Sequence, residues 1–150
     1  MKKLLIIGAS ILQLPAIKRA KELGYYVGVA DYNPNAIGIS YADEYFNVST
    51  IDVEGVIRVA KAFQPDGIMT LATDMPMRAV AAACQEVGLP GISFDTALKA
   101  TDKGEMIKAF KKHNVEHPWF FIISDKNAFD SIIKEISYPC IIKPTDNAGS

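Results

Sequence analysis

Short apolar runs alternate with amphipathic helical patterns over the first two-thirds of the 150-residue chain. The apolar runs predict β-strands at residues 4–7, 27–30, 44–48 and 67–71. Apolar positions at helical spacing predict helices at residues 14–23, 52–63 and 74–87. The first run is apolar throughout, which is typical of a strand buried on both faces. Strands that alternate with helices through short connections predict an α/β fold with a parallel sheet covered by helices.

The pattern changes near residue 95, where shorter elements begin. Ile92 is expected on a last short strand before this change. Beyond it, the sequence predicts helices and strands at residues 96–100, 103–113, 119–123, 125–136 and 140–143. Asp102 and Glu105 fit an acidic form of the capping box at the second of these helices. We therefore predict a first domain at residues 1–95 and an incomplete α+β segment at residues 96–150.

Composition narrows the class of partner. Sixteen basic residues face seventeen acidic ones, so the net charge of -1 provides no field that attracts nucleic acid or an anionic membrane. The apolar part of MKKLLIIGAS is too short for a secretory signal or a membrane span. Cys84 and Cys140 lie among apolar residues without metal-ligand spacing, which favours reduced cysteines in a cytoplasmic protein.

The carboxyl ends of the predicted strands carry the first candidate residues, since ligands of parallel sheets bind there. After the first strand, GASILQ keeps one glycine of a dinucleotide fingerprint, Gly8, with Ser10 and Gln13 at the other two glycine positions. Asp31 ends the second strand, where a ribose-binding acid would lie. This weak match leaves two alternatives open. Ser10 caps the helix of a plain turn, or the turn holds part of an anionic substrate at the helix N-terminus.

A second candidate follows the strand at residues 67–71. Thr73 and Asp74 lie at the start of a predicted helix, where a capping role alone would explain both residues. The alternative is that Asp74 contacts an amine or hydroxyl of a substrate across the crevice of the sheet.

The sequence YPCIIKPTDNAGS carries a third candidate. An apolar strand delivers Lys143, and a lysine at the end of a buried strand needs a polar partner for its ammonium group. A phosphate oxygen suits this compact point charge, and Gly149 and Ser150 offer further donors close by. The alternative is a solvated lysine on an edge strand.

YPCIIKPTDNAGS resembles the lid of the ATP-grasp superfamily, in which a strand ending in Lys-Pro leads into a glycine-rich loop over the ATP phosphates. ATDKGEMIKAFKKHNV resembles the family segment in which a phosphate-contacting lysine opens a helix, and Lys103 occupies that position. Thr101 stands where glycine is usual. The resemblance implies that Lys103 and Lys143 contact ATP phosphates, with Gly149 and Ser150 in the closing loop.

The first domain resembles the Rossmann-like domain that precedes the ATP-grasp module, most closely in carbamoyl-phosphate-synthase-like and biotin-carboxylase-like members. Helices are then expected on both faces of the sheet. The resemblance implies the N-terminal part of an ATP- and Mg²⁺-dependent ligase, which joins a small-molecule carboxylate to an amine or other nucleophile through an acyl phosphate. Gly8, Ser10 and Asp74 are its candidate substrate contacts.

The resemblance assigns no catalytic residue and no metal ligand to these 150 residues, because the family's magnesium ligands and adenine site would lie after Ser150. We therefore expect the 150-residue chain to be inactive alone, and a homodimer is compatible with the sequence. The rival class is a Rossmann-like module that binds a nucleotide or NAD without ligase chemistry.

Overall fold

The computed structural model of the chain describes residues 1–146. Its strands are β1 (Lys3–Ile7), β2 (Tyr26–Asp31), β3 (Glu44–Asn47) and β4 (Gly67–Met69). Its helices are α1 (Leu14–Glu22), α2 (Val53–Phe63), α3 (Met77–Val87), α4 (Phe94–Thr101), α5 (Lys103–Lys112) and α6 (Lys126–Ile132). Two short 3-10 helices span Ile37–Tyr41 and Ile133–Glu135.

The four strands form one parallel sheet in the order β3-β2-β1-β4. The chain builds outward from β1 to β2 and β3, and then returns to place β4 on the other side of β1. The direction of the connections therefore reverses between β1 and β4. In sheets of this kind the crevice at the carboxyl ends of the strands on either side of that reversal is where ligands bind.

Helices cover both faces of the sheet, as the sequence predicts. Leu5 and Ile7 point to the face covered by α2 and α3, whereas Ile6 points to the face covered by α1. All three side chains are fully buried. The period of two along β1 therefore divides the core into two layers, as expected for a continuous apolar strand between helices.

At Gly38 the 3-10 helix after β2 packs against the turn that follows β1. Its N–H donates to the carbonyl of Ala9 at 2.7 Å. A Cβ at Gly38 would lie 2.6 Å from that carbonyl oxygen and 2.6 Å from Cδ1 of Ile17. Only glycine therefore fits at this close approach.

Three predicted strands are wrong. Ile92 lies in an irregular connection, and residues 119–123 and 140–143 form no strand in the described part of the chain. Ile141 and Ile142 are 88% and 84% exposed. An apolar run becomes a strand only where a neighbouring strand takes its backbone hydrogen bonds, and residues 1–146 place none beside these segments.

Within residues 1–146, no helix is long and apolar enough to cross a membrane.

Candidate functional site

The turn after β1 forms one wall of the crevice. Gly8 has a φ of 103°, in a region that favours glycine, and its N–H donates to the carbonyl of Ala30 at 2.8 Å. A Cβ at Gly8 would lie 2.9 Å from Cδ of Gln13. Glycine at position 8 is thus favoured both by the backbone conformation and by the close side chain of Gln13.

Gln13 lies at the point where the connections reverse. Its side chain is buried, and the residue is only 3% exposed. Oε1 accepts hydrogen bonds from the N–H and the hydroxyl of Ser10, at 3.2 and 2.7 Å. Nε2 donates to the carbonyl of Leu71 at 2.6 Å. Gln13 therefore links the turn after β1 to the loop after β4. The local sequence pattern does not indicate this role, since it marks the position only as a missing glycine.

Asp31 has a structural role in the same region. It is buried at the end of β2, where Oδ2 accepts from the N–H of Ala9 at 2.8 Å and Oδ1 accepts from the N–H of Asn33 at 2.9 Å. Both carboxylate oxygens are therefore engaged by the backbone. Together with Gln13 in the turn, this arrangement differs from the open glycine turn and available acid of a dinucleotide site.

Ser10 does not cap α1. Its hydroxyl accepts from the N–H of Leu12 at 3.2 Å, inside the turn that precedes the helix, and α1 begins only at Leu14. The predicted helix cap is wrong because one extra turn separates Ser10 from the helix. Its contact with a substrate stays a prediction.

Asp74 does not cap α3 either. Pro76 occupies the N-cap position, and the carbonyl of Asp74, not its side chain, accepts from the N–H of Met77 at 3.0 Å. The carboxylate is exposed and has no hydrogen bond or ion pair with the residues that the structure describes. Nearby, Ala72 has a φ of 59°, a left-handed conformation that is unusual for alanine. Asp74 thus stays a prediction as a substrate contact.

The start of α5 forms a second candidate region, at Lys103. Asp102 caps this helix, since its Oδ1 accepts from the N–H of Glu105 at 2.9 Å, which confirms half of the predicted capping box. Lys103 is half-buried, and its N–H donates to the carbonyl of Thr145 at 2.7 Å. A Cβ at buried Gly104 would lie 3.4 Å from Cγ2 of Thr145. The two chain segments therefore pack closely.

Lys143 lies two residues before Thr145, so the backbone contact brings its segment to the helix that begins at Lys103. Lys143 is exposed, and Ile141 and Ile142 before it are not buried. The predicted buried strand before Lys143 is therefore wrong, and the expected role of Lys143 rests on the ATP-grasp resemblance and on this contact. Gly149 and Ser150 lie outside the described residues.

Arg78, on α3, connects this region to the helices that cover the sheet. Its Nε donates to Oγ1 of Thr101 at 2.7 Å, and Nη2 lies 3.9 Å from Oδ2 of Asp102. The hydroxyl of Thr101 itself donates to the carbonyl of Ala97 at 2.9 Å. The sequence signal that could have pointed here is Thr101, which replaces the glycine expected from the ATP-grasp resemblance.

Comparisons with known proteins match the parallel sheet and the following helices to the N-terminal part of ATP-grasp enzymes, which confirms the resemblance. No family model matches the chain. The alanine–anticapsin ligase of Bacillus subtilis is 29% identical over 143 residues, which are 95% of this chain and 30% of that protein. The carbamoyl phosphate synthase large chain of Archaeoglobus fulgidus is 25% identical, over 89% of this chain and 13% of its own.

Among solved structures, phosphoribosylglycinamide synthetase from Anaerococcus prevotii is 30% identical with a TM-score of 0.75, covering 92% of this chain and 35% of that one. The homologues are ATP-dependent ligases of the ATP-grasp family, and the chain matches their N-terminal portion. It spans about a third or less of the length of these relatives. The rival NAD-binding module is not favoured by these matches.

Proposed function

We propose that the protein containing this chain is an ATP-dependent ligase that joins a small-molecule carboxylate to an amine or another nucleophile. In the first step, a carboxylate oxygen attacks the γ-phosphorus of ATP, so that an acyl phosphate forms and ADP leaves. In the second, the nucleophile attacks the acyl carbon, inorganic phosphate leaves, and an amine nucleophile loses a proton. The reaction class is supported by the homologous ligases.

The observation that carries the proposal is the contact between the Lys103 N–H and the Thr145 carbonyl. It joins the helix start and the segment in which the resemblance places the two phosphate-binding lysines. Phosphoryl transfer depends mainly on positioning and on stabilising the charge of the transferred group. Lys103 and Lys143 supply positive charge for the ATP phosphates, and Gly149 and Ser150 belong to the loop that closes over them.

The crevice of the sheet holds the acid or the nucleophile in this proposal. Gly8 and Ser10 lie on the wall after β1, and Asp74 lies in the loop after β4 with an exposed carboxylate. An exposed carboxylate with no partner among residues 1–146 is suited to an ammonium or hydroxyl group. The domain boundary near residue 95, a cytoplasmic location and a homodimer remain part of the same proposal.

Mg²⁺ is expected to accompany ATP, where it would neutralise phosphate charge. Within residues 1–146, no group of three or more His, Cys, Asp or Glu side chains is placed to hold a metal ion. The proposal assigns roles to the lysines, to the loop residues and to the crevice.

ATP binding by the full-length protein tests the proposal. Lys103→Ala and Lys143→Ala are each expected to weaken ATP binding roughly ten- to a hundredfold, because a charge-assisted phosphate contact is lost. Lys112→Ala, at the other end of α5, and Lys134→Ala, an exposed lysine near Lys143 in sequence, are matched controls.

Isothermal titration calorimetry gives the affinities, and release of ADP and phosphate is then measured with L-alanine and a panel of L-amino acids. The panel is chosen because one relative is named as an alanine ligase. Failure of the wild-type protein to bind ATP, or equal ATP affinities for the test and control variants, would contradict the proposal.

A further inference from the structure

Arg78 lies on the first turn of α3, directly after the loop that follows β4. That loop forms one wall of the crevice and is tied to Gln13 through the carbonyl of Leu71. We infer that Arg78 is a positioning residue that fixes the start of α5, and with it Lys103, relative to this crevice. The inference rests on the proposed function, in which Lys103 contacts the ATP phosphates.

The contacts of Arg78 fix the junction between α4 and α5. Nε donates a 2.7 Å hydrogen bond to the hydroxyl oxygen of Thr101, the last residue of α4. Nη2 lies 3.9 Å from Oδ2 of Asp102, the capping residue of α5. One guanidinium group therefore holds the end of one helix and the cap of the next.

The surroundings strengthen these contacts. The side chains of Arg78 and Asp102 are 29% and 19% exposed, so solvent screens the pair less than an ion pair on the open surface. Oδ1 of Asp102 is meanwhile occupied by the N–H of Glu105. The carboxylate thus faces Arg78 with one oxygen and caps α5 with the other. A rotation of Asp102 would disturb both contacts together.

The hydroxyl of Thr101 acts as the acceptor in its hydrogen bond with Arg78. Its hydroxyl hydrogen is committed to the carbonyl of Ala97 at 2.9 Å, which leaves the oxygen lone pairs to accept from Arg78. A glycine here could not take part. The planar guanidinium fork reaches the hydroxyl and the carboxylate at once, whereas a lysine ammonium is a single point charge.

The contacts form a continuous path between the two candidate regions. It runs from the crevice loop into α3, through Arg78 to the cap of α5, and from Lys103 through its N–H to Thr145. Loss of Arg78 would leave α5 held by its other contacts but would relax the position of Lys103. A small misplacement of a phosphate-contacting group lowers its contribution considerably.

The test uses the full-length protein and measures ATP affinity, kcat and the unfolding midpoint. Arg78→Ala is expected to weaken ATP binding roughly tenfold, about the value of one charge-assisted hydrogen bond. Arg58→Ala, on the exposed face of α2, is the matched control and should leave ATP affinity unchanged. Arg78→Lys should restore only part of the affinity.

A double-mutant cycle separates positioning from general stabilisation. If Arg78 acts through Lys103, Arg78→Ala should have little further effect on ATP affinity in a Lys103→Ala background. Additive effects of the two substitutions on ATP affinity would overturn the inference. This readout differs from the unfolding midpoint, which a merely structural arginine would also lower.

Thr101 supplies a second route if Arg78→Ala does not fold. Thr101→Val removes the acceptor at nearly constant volume and should weaken ATP binding as Arg78→Ala does, while Thr101→Ser should restore it. If Lys103→Ala weakens ATP binding but neither Thr101→Val nor Arg78→Ala does, the inference fails and the proposed function stands. If the wild-type protein binds no ATP, both fail.

Discussion

The N–H of Lys103 and the carbonyl of Thr145 form a 2.7 Å hydrogen bond between main chains. Because no side chain takes part, the contact does not depend on the rotamers of the long lysine side chains. It joins two segments that the ATP-grasp resemblance places around the same phosphates. Close packing at Gly104, where a Cβ would lie 3.4 Å from Cγ2 of Thr145, supports the same juxtaposition.

The hydrogen bonds of Gln13 make a prediction about stability. Gln13→Ala should lower the free energy of unfolding by about 1–3 kcal/mol, because it leaves the carbonyl of Leu71 and the groups of Ser10 without these partners. Urea denaturation of the chain measures the change. Gln85→Ala, at an exposed position of α3, is the matched control and should change the stability by less than about 0.5 kcal/mol. Equal effects of the two substitutions would show that the hydrogen bonds of Gln13 to Ser10 and Leu71 do not stabilise the fold.

The same turn makes a prediction about cofactors. NADH should not bind appreciably to this chain, because Gln13 occupies the turn and Asp31 gives both carboxylate oxygens to backbone N–H groups. A calorimetric titration tests this directly. Micromolar affinity for NADH would restore the rival interpretation of the sheet as a nicotinamide-binding module.

The close approach at Gly38 predicts a steric effect. Gly38→Ala should destabilise the fold by about 1–3 kcal/mol, because the new Cβ would lie 2.6 Å from the backbone oxygen of Ala9. Gly67→Ala is the control, since its Cβ would make only ordinary contact, at 3.4 Å, with Cδ1 of Leu4. Unfolding midpoints that shift equally for the two variants would contradict the steric explanation.

The two cysteines should differ in reactivity. Cys84 is buried, and burial raises the pKa of its thiol, so that the reactive thiolate is scarce at neutral pH. Cys140 is only partly buried. An aromatic disulfide reagent should therefore label one thiol in the native chain and two in denaturant, as counted by mass spectrometry. Cys140→Ser should remove the native label, and rapid native labelling of that variant would show that Cys84 is accessible.

Hydrogen exchange should separate two apolar segments that look alike in sequence. The amides of residues 4–7 are expected to be strongly protected, because β1 pairs with a strand on each side and is buried between helices. Residues 140–143 make no main-chain hydrogen bond within the described part of the chain, and they should exchange much faster. Equal protection of both segments would mean that residues 140–143 are paired in solution.

The sheet could be predicted well because its signals are local. A continuous apolar run predicts β1 without knowledge of distant residues. Asp52 and Asp102 are likewise local signals, because the side chain of each accepts a hydrogen bond from the N–H of Gly55 or Glu105 and so caps the helix that follows. The runs at 119–123 and 140–143 have similar composition but lack a neighbouring strand among the described residues. Pairing depends on the partner, and a single segment does not contain that information.

The candidate site likewise contains residues that the sequence indicates and residues whose role depends on distant contacts. Gly8 could be singled out from the sequence because a glycine in the turn after a strand is a recognisable pattern. Lys103 is singled out by the ATP-grasp resemblance, and its phosphate contact stays a prediction. Arg78 could not be singled out from the sequence, since its role arises only when α3 packs beside the junction of α4 and α5. In the sequence Gln13 is a departure from the glycine motif, whereas its structural role is a hydrogen bond to the carbonyl of distant Leu71.

The two hydrogen bonds of Asp31 have a consequence for redesign. Glycine substitutions at positions 10 and 13 would open the turn, but the carboxylate of Asp31 would still accept hydrogen bonds from the N–H groups of Ala9 and Asn33. Freeing it would require new partners for two backbone N–H groups, one of them in the turn being rebuilt. Conversion of this turn into a nicotinamide-binding one would therefore require several coupled substitutions, because the turn and the acid share the hydrogen bond between Ala9 and Asp31.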